Sequence, residues 1–385
     1  MDSPLSRLQQ LAREHGEQVA LVGNDGSGWG WITWTELHSR VGQAAAGMLE
    51  AGLRPGQAVV LRVGAGIRTV ELELAARVAG AVPVLLPDEL APEDVPGLLG
   101  QLDVRLVVAD RPARLDLLAG ADLDDALLFT CDDLSWDRLV SLGAARLSGE
   151  PDLPTLDDSL RDPAATRTVL GLARAKASPW LVRPEASGAT TDPRPGDVVL
   201  LVGRPADRFT TVVREAHLAA GCTLAWVETP DDLAEALAVV TPTHLWGDHA
   251  VAQRMGDLLA TAEVGGKVWH DVPRDVLDAA CAQVAGVRLT GRARRLAADV
   301  TTLRSWWGDR LRQVVLDARV DRTVSALAQV LDFSVGRIAH HPAAPLGPGP
   351  AAGGAVEVTE PPAAPVQSTL PRRDRGSLDA AFSLV

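Results

Sequence analysis

The sequence predicts an α/β protein made of two packed subdomains, each built on a parallel β-sheet. Short β-branched runs alternate with helix-length amphipathic stretches joined by short connections, which is the pattern of a parallel sheet. The alternation occurs twice, first over residues 53–110 and again over 196–340. The chain has 385 residues, of which 46% are hydrophobic, so it can bury the cores of two such units.

The first series begins after a turn at Leu53–Gly56. A helix is predicted over residues 67–79 because Val70, Leu74 and Val78 share one face at helical spacing, and Gly80 ends it. The predicted order is strand 58–63, helix 67–79, strand 81–86, a short helix 92–102 and strand 104–110.

The second series repeats this order after residue 196. Pro230, Asp231 and Asp232 suit the positive end of a helix that follows them. The predicted elements are strand 196–203, helix 209–220, strand 222–227, helix 230–240, strand 243–247, strand 311–317, helix 321–331 and strand 333–339.

Composition excludes several classes of function. The net charge of −13 argues against nucleic acid or an anionic membrane as the main partner, because both need clustered cations. No run of about 18 apolar residues is present, so no transmembrane helix is expected. Cys131, Cys222 and Cys281 are far apart, without metal or redox spacing, which predicts reduced thiols and a cytoplasmic protein.

The predicted domain organisation has four parts. Residues 1–160 and 161–340 are the two α/β subdomains. Residues 341–371 form a linker rich in Pro, Ala and Gly that cannot bury a core. Residues 372–385 are predicted to be a docking peptide for a protein partner.

The docking prediction comes from three residues of the tail. Leu378, Phe382 and Val385 fall at positions i, i+4 and i+7, on one face of a helix that Ser377 would cap. This arrangement resembles the docking tails that carry cargo into encapsulin shells, and the free carboxyl end also fits a PDZ-type ligand. The alternative is a frayed terminus without a partner.

The order of segments over Ile32–Asp110 resembles the opening of the acyl-adenylate-forming, or AMP-binding, enzymes. A second set of segments, 194–202, 217–247, 286–300 and 311–317, is similar to the long-chain fatty-acyl-CoA synthetase branch. This resemblance implies the two-subdomain α/β body of that family's large N-terminal domain. It also implies an ancestral reaction with ATP and Mg, in which a carboxylic acid is activated and passed to a thiol.

The family's phosphate loop has no clear counterpart. That loop reads Thr-Ser-Gly-Thr-Thr-Gly followed by Pro-Lys-Gly, and the resemblance puts its place near Thr168–Pro179, which offers Gly171 and Lys176. The segment Ser187–Thr191 has the composition of a phosphate loop but lies against the next strand, so it is interpreted as a linker.

Other motif positions also carry different residues. Asp207 stands near the family's Pro-Leu-x-His histidine, and Arg319 follows where Ser-Gly-Gly-Ala is expected. His340 lies where the family has Tyr-Gly-x-Thr-Glu, and the chain has no tyrosine. The ancestral-site positions taken from the resemblance are Lys176, Asp207, Trp246, Gly247, Arg319 and His340.

Clusters of histidine, tryptophan and arginine are further candidate sites. His244 and His249 flank Trp246-Gly247, and His340-His341 follows a strand, but neither pair has a familiar ligand spacing, so no metal site is predicted. Core packing is favoured for the tryptophans. A basic patch over 288–295 corresponds to a basic helix of the family, with an anionic headgroup or phosphopantetheine as the alternative ligand.

These departures predict a truncated, catalytically inactive relative that acts as a binding or scaffolding module. The family's ribose-binding aspartate, hinge and C-terminal domain have no counterpart, and no lysine follows Lys267. No catalytic residue, cofactor or metal is therefore expected. One alternative is a divergent long-chain fatty acid–CoA ligase using ATP and Mg, possibly completed in trans. The other is a fatty-acid or acyl-CoA sensor.

Overall fold

A computed structural model gives the architecture of most of the chain before residue 343. The residues that it describes are 4–24, 28–86, 90, 92–118, 120, 121, 123, 125–131, 134–149, 180–185, 194–260, 263, 264, 267, 268, 310–316, 328 and 333–342. Among them, no helix has both the length and the apolar character needed to cross a bilayer.

The larger of two main sheets has eight strands in the order β2-β1-β9-β8-β10-β13-β14-β7. Its six central strands run parallel, and an antiparallel strand closes each side. The strands are β1 (Val19–Asn24), β2 (Trp29–Thr33), β7 (Trp180–Glu185), β8 (Val198–Val202), β9 (Thr223–Val227), β10 (His244–Gly247), β13 (Gln313–Leu316) and β14 (Ser334–Pro342).

The smaller main sheet is wholly parallel and has four strands in the order β4-β3-β5-β6. Its strands are β3 (Ala58–Arg62), β4 (Val82–Leu85), β5 (Val104–Ala109) and β6 (Leu127–Thr130). A separate short antiparallel pair joins β11 (Glu263–Val264) to β12 (Lys267–Val268).

Eight helices of the described residues cover these sheets. They are α1 (Pro4–His15), α2 (Trp34–Glu50), α3 (Ile67–Val78), α4 (Val95–Leu99), α5 (Leu134–Gly149), α6 (Arg208–Ala220), α7 (Leu233–Val240) and α8 (His249–Ala260). Helix α2 begins with a capping box, in which Thr33 and Glu36 satisfy each other's backbone N–H groups.

One hydrophobic core lies between the two sheets. Helices α1, α2, α3, α5 and α6 contribute to it, together with the inner faces of both sheets. A second core joins the outer face of the large sheet to α7 and α8, and a third joins the outer face of the small sheet to α4. The described chain is therefore layered as helices, large sheet, helices, small sheet and helix.

The predicted α/β class is confirmed, with one wholly parallel sheet and one mixed sheet whose six central strands are parallel, and the predicted strands and helices within the described residues form. Several elements were not predicted, among them α2, α8, β7, the hairpin β1–β2, and β6 with α5. The hairpin β1–β2 joins the large sheet beside β9, although it precedes every strand of the small sheet. The small sheet also gains β6, followed by α5. The two sheets therefore do not divide simply into residues before and after 160.

Helices α2 and α5 cross with almost no space between their backbones. A Cβ atom added to Gly143 would overlap the carbonyl oxygen of Gln43, and one added to Gly47 would overlap that of Leu139. Trp136 and Leu139 of α5 are buried beside this crossing. The two glycines are required because only a hydrogen in place of a side chain lets the helices approach so closely.

We expect Gly143→Ala to destabilise the protein by about 3 kcal/mol. The added methyl group would clash with the backbone of α2, which can relieve the clash only if the whole helix shifts. Gly149→Ala is the matched control, since Gly149 ends the same helix with no atom near its Cβ position. Urea unfolding followed by circular dichroism measures both free energies. Equal stability of the two variants would show that the crossing is looser than described.

Candidate functional site

The candidate site lies at the carboxyl edge of the large sheet. Strands β8, β9 and β10 are parallel, so their carboxyl ends meet at this edge, where open α/β sheets usually bind ligands. Three carboxylates follow these strands: Asp207 after β8, Glu228 after β9 and Asp248 after β10. The edge therefore presents negative charge along three adjacent strands.

Asp207 ends a turn that leads from β8 into α6. Its backbone N–H donates to the carbonyl oxygen of Arg204 at 3.2 Å, and its own carbonyl accepts from Thr211 one helical turn later. Partial burial raises the pKa of the Asp207 carboxyl above its ordinary value, and the Asp248 carboxylate acts in the same direction. Arg204 opposes both effects. Asp207 therefore stands at the site, in a position poorly suited to a further negative charge.

Asp248 and Gly247 form the junction between β10 and α8. The Asp248 Oδ1 atom accepts from the backbone N–H groups of Ala250 at 2.9 Å and Val251 at 3.1 Å. A Cβ atom on Gly247 would lie 2.5 Å from a methyl group of Val251. Gly247 is thus explained by the packing of the first turn of α8, and Asp248 by the capping of that helix.

Trp246 belongs to the core between the sheets, where it is 4% exposed. Its ring meets the imidazole of His217 edge to face, with centroids 5.2 Å apart and planes at 73°. Strand β10 thus turns Trp246 inward, away from the edge that carries Asp248. Its bulk stabilises the inner layer by burial rather than by contact with a ligand.

The remaining ancestral-site positions are only partly described. His340 lies in β14, where its backbone pairs with Val182 of β7, beyond the last pair between β13 and β14. Lys176 and Arg319 lie outside the described residues, as do the tail positions Leu378, Phe382 and Val385. The structure therefore brings Asp207 and Gly247 to one edge and turns Trp246 into the core.

The loop between β3 and α3 is tied down by two carboxylates, and we name this set the latch. The backbone N–H of Gly64 donates to Asp110 Oδ2 at 3.0 Å, and that of Ala65 donates to Glu228 Oε2 at 3.2 Å. Arg114 Nη1 lies 3.2 Å from the same Asp110 oxygen. Amide groups at the start of a helix favour anions, and here the protein's own carboxylates satisfy them.

The latch also joins the two sheets. Glu228 follows β9 of the large sheet, whereas Ala65 follows β3 of the small sheet. A Cβ atom on Gly64 would lie 2.9 Å from a carboxylate oxygen of Glu228, so the absence of a side chain permits this contact. The carboxyl ends of both parallel sheets therefore face the same side of the molecule.

A buried set of charges, here named the interlock, links α3 to α6. Glu73 of α3 pairs with Arg77 at 2.8 Å and with Arg214 of α6. Arg77 pairs in turn with Glu215. Glu73 is 5% exposed and Arg214 is 1% exposed, so this is a desolvated pair that depends on both partners.

The interlock is connected to the candidate site through Trp226. The Arg214 guanidinium lies over the Trp226 ring, 4.9 Å from its centroid. The indole N–H of Trp226 donates to the carbonyl oxygen of Gly203 at 2.8 Å. Gly203 begins the turn that ends at Asp207, so the buried charges help to fix the backbone of the site.

His217 is buried next to Trp246 and is held as a neutral imidazole. Its Nδ1–H donates to the carbonyl oxygen of Val213 at 2.6 Å, which leaves Nε2 with its lone pair. Burial lowers the pKa of His217 to about 4, and the neighbouring His244 lowers it further, while Val213 and Asp197 oppose this.

The amino edge of the large sheet holds further polar groups without forming a metal site. His244 Nδ1 lies 2.8 Å from Thr243 Oγ1, and burial lowers the pKa of His244. Burial raises the pKa of the Cys222 thiol, which donates to the carbonyl oxygen of Arg194. Among the described residues, no group of three or more His, Cys, Asp or Glu side chains is arranged to hold a metal ion.

Sequence patterns missed the residues that hold this site together. Glu228 and Asp248 follow parallel strands, as Asp207 does. The rule that ligands bind at the carboxyl ends of parallel strands would therefore have found them. Glu73 and Arg214 gave no such signal, because they are 141 positions apart. Their pairing depends on the docking of α6 against α3.

We expect Glu73→Gln to lower the free energy of unfolding by about 3 kcal/mol, because the variant leaves Arg214 buried without its counter-charge. Glu215→Gln is the matched control, since the Glu215 side chain is 45% exposed and should cost well under about 1 kcal/mol. Chemical denaturation of both variants checks this. A Glu73→Gln protein as stable as Glu215→Gln would contradict the interlock.

His217 should make the fold sensitive to acid. Its pKa is depressed in the folded state, so unfolded chains take up the proton first as the pH falls below 6.5. Its stability contribution is complete above pH 6.5 and is lost between there and about pH 4, up to about 3 kcal/mol. Urea unfolding at several pH values should show a shallower acid loss for His217→Gln than for the parent.

The matched control is His249→Gln, because His249 is exposed at the start of α8. It should retain the acid sensitivity of the parent. His244 acts in the same direction as His217, so His217→Gln should reduce the loss without removing it. Identical acid profiles for the parent and His217→Gln would contradict the assignment.

Comparison with known proteins finds similarity in the first part of the chain. Residues 8–158 match the family model described as AMP-binding enzyme. A chalcone synthase of Aspergillus candidus, cfoA, is 33% identical over 100 residues, and a naringenin synthase of Pestalotiopsis fici is 29% identical over 139 residues. These matches cover 26% and 36% of this chain, but 4% and 5% of those much longer proteins.

Solved structures extend the likeness to most of the chain. The N-terminal domain of FACL13 from Mycobacterium tuberculosis has a TM-score of 0.57 at 12% identity, over 88% of this chain and 75% of that one. A long-chain-fatty-acid-CoA ligase, FadD1, from Archaeoglobus fulgidus has a TM-score of 0.58 at 12% identity, over 87% and 63%.

A benzoate CoA ligase from Burkholderia xenovorans has a TM-score of 0.54 at 16% identity, over 88% of this chain and 60% of that one. At such low identity these structures establish the fold. Residues 8–158 therefore match the model of the AMP-binding enzyme family, and the chain has the fold of the N-terminal domain of acyl-CoA synthetases.

Proposed function

We propose that this chain is a catalytically inactive relative of the acyl-CoA synthetases that works as a binding or scaffolding module. The observation that carries the proposal is the acidic carboxyl edge formed by Asp207, Glu228 and Asp248. In the ancestral reaction this edge would receive ATP and a carboxylic acid, both of which are anionic. A site for them needs cations or oriented N–H donors where charge develops.

The electrostatics of Asp207 support this proposal. Its pKa is raised by partial burial and by the neighbouring Asp248 carboxylate, so the two carboxylates repel each other. A triphosphate at the same edge would add several negative charges beside Asp207 and Asp248, and these like charges would repel one another. Arg204 is the cation of this turn, and it already opposes the raised pKa of Asp207.

The amide groups of the β3–α3 loop support it further. Loops of this kind, between a parallel strand and a helix, often hold phosphate groups in α/β proteins. Here the N–H groups of Gly64 and Ala65 are bonded to Asp110 and Glu228. A phosphate would have to displace both carboxylates and would break a tie between the two sheets.

Trp246 argues against the sensor alternative, in which the ancestral acyl pocket alone is kept. The ring is buried against His217 in the central core, and Gly247 next to it is covered by Val251. Residues that fill space in this way leave the carboxyl end of β10 packed. The binding role is therefore assigned to surfaces of the body and to the C-terminal segment, in which Leu378, Phe382 and Val385 would dock.

Lys176 decides between this proposal and the ligase alternative. The chain has only two lysines, Lys176 and Lys267, and the resemblance places Lys176 at the phosphate loop. A divergent long-chain fatty acid–CoA ligase would need this ammonium group near the phosphates. A binding module would not need it.

Calorimetric titration of the purified full chain with Mg-ATP, alone and then with a long-chain fatty acid, tests the proposal. We expect no saturable heat in either titration, and none for the Lys176→Ala variant. Saturable ATP binding that Lys176→Ala abolishes would overturn the proposal in favour of a ligase. Fatty-acid binding without ATP binding would overturn it in favour of a sensor.

A further inference from the structure

Two buried polar atoms on helix α6 have no hydrogen-bond partner among the described residues. They are the hydroxyl oxygen of Thr210 and the Nη1 nitrogen of Arg214. Thr210 is 0% exposed and Arg214 is 1% exposed, so neither atom reaches bulk solvent. A buried polar group without a partner is costly, and native proteins seldom leave one unsatisfied. The two atoms therefore indicate a bound molecule.

Both side chains belong to the inner face of α6. The neighbouring Val213 is buried in the core between the sheets, so this face of the helix is turned toward that core. Residues four positions apart lie one above the other on a helix, and long side chains lean toward its amino end. Arg214 therefore extends in the direction of Thr210.

Three contacts link the two side chains through the large sheet. Thr210 Oγ1 lies against Gly203, because a Cβ atom added to that glycine would be 2.5 Å from it. The carbonyl oxygen of Gly203 accepts from the indole N–H of Trp226 at 2.8 Å. The Arg214 guanidinium lies over the ring of the same tryptophan, 4.9 Å from its centroid. The Thr210 hydroxyl and the guanidinium are therefore held beside the same two residues.

The hydrogen-bonding capacity left at this place needs a ligand that both accepts and donates. Arg214 uses Nη2 for Glu73, and Nη1 remains as a donor. The Thr210 hydroxyl can donate one bond and accept others, and the carbonyl oxygen of Gly203 has a second lone pair. A water molecule can accept from Arg214, exchange a bond with Thr210 and donate to Gly203.

Charge balance favours a neutral ligand over an anion. In the interlock, Glu73 and Glu215 offset Arg77 and Arg214, so a buried anion would give it a net negative charge. Water adds no charge. With a hydrogen bond of about 2.8 Å on each side, one water can join polar atoms up to about 5.5 Å apart.

We propose that one internal water molecule is bound between the Thr210 hydroxyl and Arg214 Nη1, with the carbonyl oxygen of Gly203 as its third partner. The water joins the interlock to the turn that carries Asp207 by a route separate from the Trp226 N–H. The inference goes beyond the proposed function. It stands or falls independently of whether the protein binds ATP.

Thr210→Val tests the inference by the direction of its effect on stability. Valine replaces the hydroxyl with a methyl group of similar size, so removing a hydroxyl that has no partner would leave stability unchanged or raise it. Removing a partner of the water instead weakens the binding of the water that satisfies Arg214. We expect the folding equilibrium constant from urea unfolding to fall at least about tenfold. An unchanged or higher constant would overturn the inference.

Thr211→Val is the matched control on the same helix. It makes the same chemical change, so it corrects for the different helix propensities of threonine and valine. The Thr211 hydroxyl donates to the carbonyl oxygen of Asp207 at 3.1 Å, and the residue is partly exposed. Loss of this bond should lower the folding constant less than about threefold, because solvent can replace it. Equal losses in the two variants would contradict a water held by Thr210.

A high-resolution crystal structure of the parent chain decides the question even if Thr210→Val does not fold. We expect electron density for one water within hydrogen-bond distance of Thr210 Oγ1 and Arg214 Nη1, and the same density in Thr210→Ser, which keeps the hydroxyl. Absence of density at this position in the parent would overturn the inference. An anomalous peak there in crystals soaked with bromide would show an anion site and would overturn it as well.

Discussion

The buried carboxylate of Glu73 is the constraint on which the arrangement of the two sheets depends. A desolvated negative charge between the sheets is tolerable only while Arg77 and Arg214 pair with it. Because Arg214 comes from α6 and Glu73 from α3, the charge balance exists only when the two halves are packed together. The same arginine stacks on Trp226, whose N–H holds Gly203, so the constraint extends to the turn that carries Asp207. The buried charge pairs thus connect the packing of α3 against α6 to the carboxyl edge of the large sheet.

The carboxyl edge of the large sheet is lined by carboxylates that are bonded within the protein. The carboxylates of Asp110 and Glu228 are bonded to the amides of the β3–α3 loop, and Asp248 caps α8. Each of these carboxylates accepts a hydrogen bond from a backbone N–H group, which offsets part of the cost of holding negative charge there. The groups that would bind an anionic substrate are thereby engaged in holding the fold. These contacts are the basis of the proposed role as a binding module.

Much of the fold follows from local sequence, because short apolar runs between turns predict parallel strands and the helices connecting them. The face of α3 that carries Leu74 was predicted to be apolar. The helix also buries Glu71 and Glu73, which pair with arginines of other helices, Arg40 and Arg214. The hairpin β1–β2 was missed because its place beside β9 depends on a strand about 200 residues later. At the site, the family resemblance pointed to Asp207, and Trp246 lies in the core, as favoured for the tryptophans. Local patterns predict elements, whereas buried charge pairs depend on how elements dock.

The most direct test of the account is ATP–pyrophosphate exchange with the full chain and a series of carboxylic acids from benzoate to long-chain fatty acids. This assay detects reversible acyl-adenylate formation even where no product is released. A carboxyl edge that is acidic and whose carboxylates are hydrogen-bonded within the protein predicts no exchange with any acid above the background of an enzyme-free control. Exchange that requires a particular acid and Mg would contradict the account, because the edge would then have to accept the triphosphate next to Asp207 and Asp248.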